Sequence, residues 1–168
     1  GIVRMLETIA PSFDKISTYG MGYADYYPRG TPWNQVDSNC RVAGAAALLN
    51  QRRGQRVIEV SQGIYQQSTP ELQQAEIAAA CTAAQEANAV FPHTVASLVF
   101  TNEYVTDTAT TNAVMAMLTA NKPAVNALGL KVGVRSQTFG QLTNQASPYL
   151  APLQTLVRNC DFILCNLY

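Results

Sequence analysis

Val95-Ala96-Ser97-Leu98-Val99-Phe100-Thr101-Asn102-Glu103 is the stretch on which the fold turns. Up to Phe100 it is apolar or small and rich in β-branched and aromatic side chains. It lacks the spacing of an amphipathic helix, so it reads as a buried strand. A carboxylate beside an amide then stands where the strand emerges. Desolvating such a pair costs free energy unless polar partners meet it, so Asn102 and Glu103 mark a candidate site at the strand's carboxyl end. A solvated turn explains the dipeptide taken alone, but not the residues that gather at the other strand ends.

Working outward, strand-like runs alternate with helix-like segments, the order of an α/β protein with a parallel sheet. Five strands are predicted, at Lys15 to Gly20, Arg56 to Ile64, Ala96 to Glu103, Leu130 to Thr138 and Asp161 to Tyr168. Ser38 to Arg52 reads as an Ala/Leu-rich helix capped by Ser38 or Asn39 and stopped near Gly54. A second helix runs from Pro70 to about Asn88, with Thr69 as N-cap and Gln and Glu on its wet face. A third covers Thr110 to Leu128, where Pro123 is expected to bend or split it, and a fourth covers Pro148 to Arg158. The strand ends collect Tyr19-Gly20, Gln62-Gly63-Ile64-Tyr65, Asn102-Glu103-Tyr104, Arg135-Ser136-Gln137 and Asn166-Leu167-Tyr168. Ligands bind at the carboxyl ends of strands in barrels and doubly wound sheets. Aromatic faces stack on sugar rings and amides bond hydroxyls, so the set suits carbohydrate. It does not suit phosphate, since no Gly-rich phosphate loop is present.

Composition narrows the field further. At 168 residues, 48% hydrophobic and 13% charged, the chain has the makings of a folded protein with one sizeable core, and residues 1–168 read as a single domain. Eleven basic and eleven acidic residues balance to zero with no basic stripe, which argues against nucleic acid. No apolar run approaches the roughly 20 residues of a membrane span. Cys40, Cys81, Cys160 and Cys165 include no CxxC pair, and His93 is the single histidine, so no metal and no cofactor is expected. Four cysteines read equally as disulfides or as buried free thiols; Cys160 and Cys165 flank one strand and sit too far apart to pair, so if a bridge forms, Cys40 with Cys81 is the candidate. Glu59, mid-strand, reads as either buried and paired or solvent-facing. Tyr23, Tyr26, Tyr27 and Trp33 lie in a long loop that either packs on itself or forms a sugar-stacking wall.

Several of these pieces, in order, resemble glycoside hydrolase family 17, the β-1,3-glucanases and glucanosyltransferases. They are Ile16-Ser17-Thr18-Tyr19, Asn39-Cys40, Gln62-Gly63-Ile64-Tyr65, Phe100-Thr101-Asn102-Glu103 and Asp161-Phe162-Ile163-Leu164-Cys165-Asn166-Leu167-Tyr168. The resemblance implies a partial (β/α)8 TIM barrel of about five parallel strands, corresponding to strands two to six of the family. It implies Glu103 as acid/base with Asn102 as its partner on the sugar, on a β-glucan polysaccharide, in an extracellular or cell-wall setting, while the polar and aromatic strand ends offer Tyr19, Tyr65, Asn166 and Tyr168 as further substrate-binding residues. A retaining mechanism needs a second carboxylate about 5–5.5 Å away, and in the family it comes from a strand beyond the last one here. Two departures stand out: Ser17 where relatives carry Arg, and Thr101 where they carry Gly beside Asn-Glu. A rival reading makes the chain a non-catalytic, carbohydrate-associated structural protein that self-associates through open barrel edges.

Overall fold

The computed structural model describes residues 1–22 and 38–166. Helix α1 (Ile2–Ile9) precedes β1 (Lys15–Ser17). After a 3-10 turn (Ser38–Arg41) come α2 (Val42–Arg53), β2 (Glu59–Ile64), α3 (Pro70–Val90), β3 (Val95–Asn102), α4 (Thr108–Ala127) and β4 (Lys131–Ser136). A second 3-10 turn (Thr138–Thr143), α5 (Leu150–Asn159) and β5 (Phe162–Cys165) complete it. The sheet order is β1-β2-β3-β4-β5 and every pairing is parallel. When each right-handed crossover moves to the next strand in the same direction, all the helices fall on one face of the sheet. That is barrel architecture rather than a doubly wound one. The sheet is also curled. Across a flat sheet, β1 and β4 would stand about 14 Å apart at about 4.8 Å per step, farther than an arginine extends, yet Arg135 of β4 bonds β1 directly. The predicted partial α/β barrel is therefore what the chain forms.

The core lies between the convex face of the sheet and the helices. Ile58, Val60, Ile64, Leu98, Phe100, Val132 and Val134 supply the sheet side, and small alanines of α2 and α3 let those helices approach closely. Leu118 of α4 with Leu153 and Leu156 of α5 close the other end. Helix-to-strand junctions are pinned by buried amides. Asn50 Oδ1 accepts from the N–H groups of Val57 and Ile58 at 2.8 and 3.0 Å, while its Nδ2 donates to Ile58 O and Thr94 Oγ1 at 2.9 and 3.1 Å. One connection later, Asn88 holds the N–H and C=O of Val95 at 2.8 and 2.9 Å. Both amides satisfy backbone groups that have no ladder partner where a strand begins.

The observed elements correct several expectations. Helix α1 was not anticipated, although Ile2, Leu6 and Ile9 fall at helical spacing. The N-cap of α2 is Arg41 rather than Ser38 or Asn39, because the chain makes a 3-10 turn over Ser38–Arg41 first, and no side-chain cap bond is made there. Gly54 ends α2 at φ 65°, the left-handed conformation that stops a helix. Thr69 caps α3 as expected, its hydroxyl accepting from Leu72 N at 3.3 Å. Pro123 does not split α4, which runs unbroken from its Asp107–Thr110 capping box. Burial of Val114, Leu118 and Val125 carries the helix across a site that costs about 3 kcal/mol in isolation. β1 stops at Ser17, short of the predicted Gly20, and β5 at Cys165. Glu59 is paired, with Lys15 at 3.4 Å and Arg56 at 3.0 Å. None of the four cysteines is in a disulfide, so the Cys40–Cys81 bridge is not formed; Cys40 sits in the turn before α2 and Cys81 halfway along α3. Among the described residues, no helix is long and apolar enough to cross a membrane.

Candidate functional site

The site begins with an irregularity in β3. Phe100 pairs with Val134 and Asn102 with Arg135, which leaves Thr101 as an extra residue between them. Thr101 takes φ 61° and Glu103 φ 54°. Left-handed backbone is costly for a side chain with a Cβ, most of all a β-branched one, and such strain clusters at functional sites. Thr101 is buried, and among the described residues its hydroxyl has no hydrogen-bond partner. Position 101 is thus one where glycine would sit without strain.

Asn102, between the two left-handed residues, is clamped. The carboxamide of Gln66, just past β2, accepts from Asn102 N at 3.1 Å and donates to Asn102 O at 3.2 Å. Glu103 N donates to Arg135 O at 3.1 Å. The backbone of the dipeptide is thereby fixed from both neighbouring strands, so its side chains project in set directions. Asn166, just beyond β5, donates its Nδ2 to Glu103 Oε1 at 2.7 Å and more weakly to Asn102 Oδ1 at 3.4 Å. All three side chains are partly buried. Three residues separated by up to 64 positions thus make one polar cluster at the carboxyl ends of β3 and β5.

Arg135 completes the cluster from β4 and is 5% exposed. Its Nη1 donates to Thr18 O at 3.0 Å, its Nη2 bonds Ser17 Oγ, and its guanidinium lies over the Tyr19 ring with 4.8 Å to the centroid. Burial pushes its pKa down, opposed by the electrostatic pull of Tyr19 and Glu103. Arg135 therefore brings a cation to position 17 from across the concave face, with Ser17 accepting its hydrogen bond. Beside it, Gln62 donates to Thr18 Oγ1 at 2.7 Å, and Thr18 Oγ1 accepts from Gly63 N at 2.8 Å. Gly63 has to be glycine here, since a Cβ would collide with the Thr18 carbonyl and come within 2.6 Å of the Tyr19 carbonyl carbon.

Tyr19 is 55% exposed next to Arg135. Tyr65 is partly buried, and its backbone is held by α3. Its N–H donates to Glu76 Oε1 at 3.1 Å and its C=O accepts from Gln73 Nε2 at 3.2 Å. Glu76 corrects the expectation of a uniformly wet face on α3. It is fully buried, because its carboxylate also accepts from Met21 N at 2.6 Å and so ties together the ends of β1 and β2. Tyr168 and the loop aromatics Tyr23, Tyr26, Tyr27 and Trp33 lie outside the described residues. Among the described residues, no group of three or more His, Cys, Asp and Glu gathers to hold a metal. A cavity of about 700 Å³ opens at the other end of the strands, lined by Lys15, Glu59, His93, Ser97 and Lys131. It faces away from Glu103, on the end of a barrel that usually serves stability rather than chemistry.

Gln66 and Arg135 were not anticipated as site residues. Arg135 did stand in a polar strand end, but nothing local shows that its side chain crosses to a strand more than a hundred residues earlier.

Among solved structures, the fold is similar to that of an endo-laminarinase from Formosa Hel1_33_131, with a TM-score of 0.67 and 15% identity. The match covers 96% of this chain and 43% of that one, so the chain spans less than half of the laminarinase's length. At that identity the likeness is one of fold. No family model matches the chain, and no curated protein sequence matches it.

Proposed function

We propose that this chain forms the central part of a β-1,3-glucan-active retaining glycoside hydrolase or transglycosidase, with Glu103 as its acid/base. The observation that carries the reading is the Asn102–Glu103–Asn166 cluster, held by backbone clamps at the carboxyl ends of a parallel half-barrel. The laminarinase fold supports it at the level of architecture. In the reaction, Glu103 gives its proton to the glycosidic oxygen as the C1–O bond breaks and the leaving sugar departs as an alcohol. A second carboxylate, which the family resemblance would place on a strand after β5, bonds C1. Glu103, now a carboxylate, then takes a proton from water or from an acceptor hydroxyl as that oxygen attacks C1 and releases the ester.

Asn166 donates to the carboxylate oxygen of Glu103 and so fixes the carboxyl plane, while Asn102 presents an amide to a sugar hydroxyl. Tyr19, exposed at the rim, is the stacking face in this reading, and Tyr65 and Tyr168 are its further binding residues. An extracellular or cell-wall location belongs to the same proposal. The test is hydrolysis and transfer on laminarin oligosaccharides by the whole native protein and its Glu103→Gln variant. Loss of about 10²–10⁴-fold in kcat is expected when a general acid/base is removed. Activity unchanged in Glu103→Gln would end the reading.

A further inference from the structure

We propose that Arg135 is a positioning residue that fixes the rim of β1, and the Tyr19 ring on it, relative to Glu103. This inference rests on the function proposed above. One residue makes all the connections. Its carbonyl accepts from Glu103 N at 3.1 Å, its Nη1 donates to Thr18 O at 3.0 Å, its Nη2 bonds Ser17 Oγ, and its guanidinium covers one face of Tyr19 at 4.8 Å. The acid/base backbone on β3 and the stacking ring on β1 are therefore tied to the same strand-end residue of β4. In the sheet, β1 and β4 share no ladder and are separated by β2 and β3.

The energetics argue that the charge is kept for a purpose. Arg135 is 5% exposed, and Tyr19 and Glu103 pull on its charge. Burying a charge is expensive even where it is attracted in this way, and an apolar side chain of similar volume would pack the concave face at lower cost. What an apolar side chain cannot do is hold two oxygens of β1 while lying flat against an aromatic ring. The planar fork of arginine does both, and the single ammonium of lysine does not. The bond to Ser17 Oγ also gives position 17 a role, as acceptor for a cation that arrives from another strand. With Arg135 on one face and Tyr19 55% exposed, the opposite face of the ring is open to a pyranose.

The experiment compares the whole protein with Arg135→Met and Arg135→Lys, using laminarihexaose as ligand and Glu103→Gln as reference. Arg135→Met retains the backbone carbonyl, so protection of the Glu103 amide from hydrogen exchange should persist. The nuclear Overhauser contact between the Tyr19 ring and residue 135 should vanish, and the Thr18–Tyr19 segment should exchange faster. KM for laminarihexaose should rise about tenfold with kcat changed less than threefold, and Arg135→Lys should recover only part of that rise. A Tyr19 ring that stays in place in Arg135→Met, or a KM unchanged while Glu103→Gln abolishes turnover, overturns the positioning role and leaves the glucanase reading intact. Should Glu103→Gln change nothing, the glucanase reading falls. The exchange and ring measurements then still decide whether Arg135 holds the β1 rim.

Discussion

Replacing Thr101 by glycine should stabilise the protein slightly or leave it unchanged, although glycine in a strand ordinarily weakens it. Two gains oppose two losses. A β-branched residue held at φ 61° relinquishes about 1–2 kcal/mol of left-handed strain. Removing a buried hydroxyl that has no partner among the described residues returns about 1–2 kcal/mol more. Against this stand the lost burial of the side-chain carbons, about 1.5 kcal/mol at about 0.8 per carbon, and the extra unfolded-state entropy of glycine, about 0.5–1 kcal/mol. The net lies between about −0.5 and +2 kcal/mol, or up to several degrees in Tm for a chain of this size. Thr101→Val provides the control. It keeps the strain but exchanges the orphan hydroxyl for a methyl, and should gain about 1 kcal/mol. Urea unfolding of the three proteins, with unchanged m-values, reads these differences directly. A loss of 2 kcal/mol or more in Thr101→Gly, roughly the cost at a regular strand position by the same terms, would refute the strained bulge at the end of β3.

Asn50→Ala should cost about 2–4 kcal/mol, because it strands two backbone N–H groups and a carbonyl in a fully buried junction; a melting curve unchanged from wild type would contradict the junction. Gly63→Ala should destabilise by about 1–3 kcal/mol or prevent folding, since the added Cβ meets backbone rather than a movable side chain, and normal soluble yield with an unchanged Tm would contradict the close approach of β1 to β2. Burial pushes the Cys160 thiol up to about 11, whereas Cys165 is exposed. Only the thiolate reacts, so at pH 8 iodoacetamide should label Cys165 well ahead of Cys160, and Cys160 labelling should climb as pH rises toward that value; equal labelling at pH 8, read by peptide mass, would contradict the buried thiol.

The sheet was legible because strands buried in a parallel sheet carry continuous apolar runs, and each of the five expected strands is present, displaced at its ends by one to several residues. The first and last were overextended, because Thr18 to Gly20 and Asn166 leave the ladder to serve side-chain and loop contacts that no pattern announces. Helix α1 carried a legible apolar spacing, but at eight residues and without a capping side chain it gave little else to find it by. Asn102 and Glu103 stood out by their chemistry at a strand end. Their supporting residues did not, because Gln66 and Arg135 act through bonds spanning 36 and more than a hundred positions, and a sequence shows those only as two more polar residues near strand ends. Glu76 misled for the same reason. Its helix is wet on that stretch by composition, and only the loop end at Met21, 55 residues away, makes its burial affordable.

Because Thr101 is an added residue in β3 and not merely an exchanged one, the facing of Asn102 and Glu103 is a matter of chain length before it is a matter of composition. Deleting one residue there would restore regular pairing with β4 and turn both side chains to opposite sides of the sheet. The carboxylate would then leave Asn166, and with it the neighbours across the concave face. Many substitutions at position 101 should therefore be survivable while a single-codon deletion should not. Across related chains, an unbroken count of residues between Phe100 and Glu103 would mark this site more dependably than the identity of the residue that occupies the bulge.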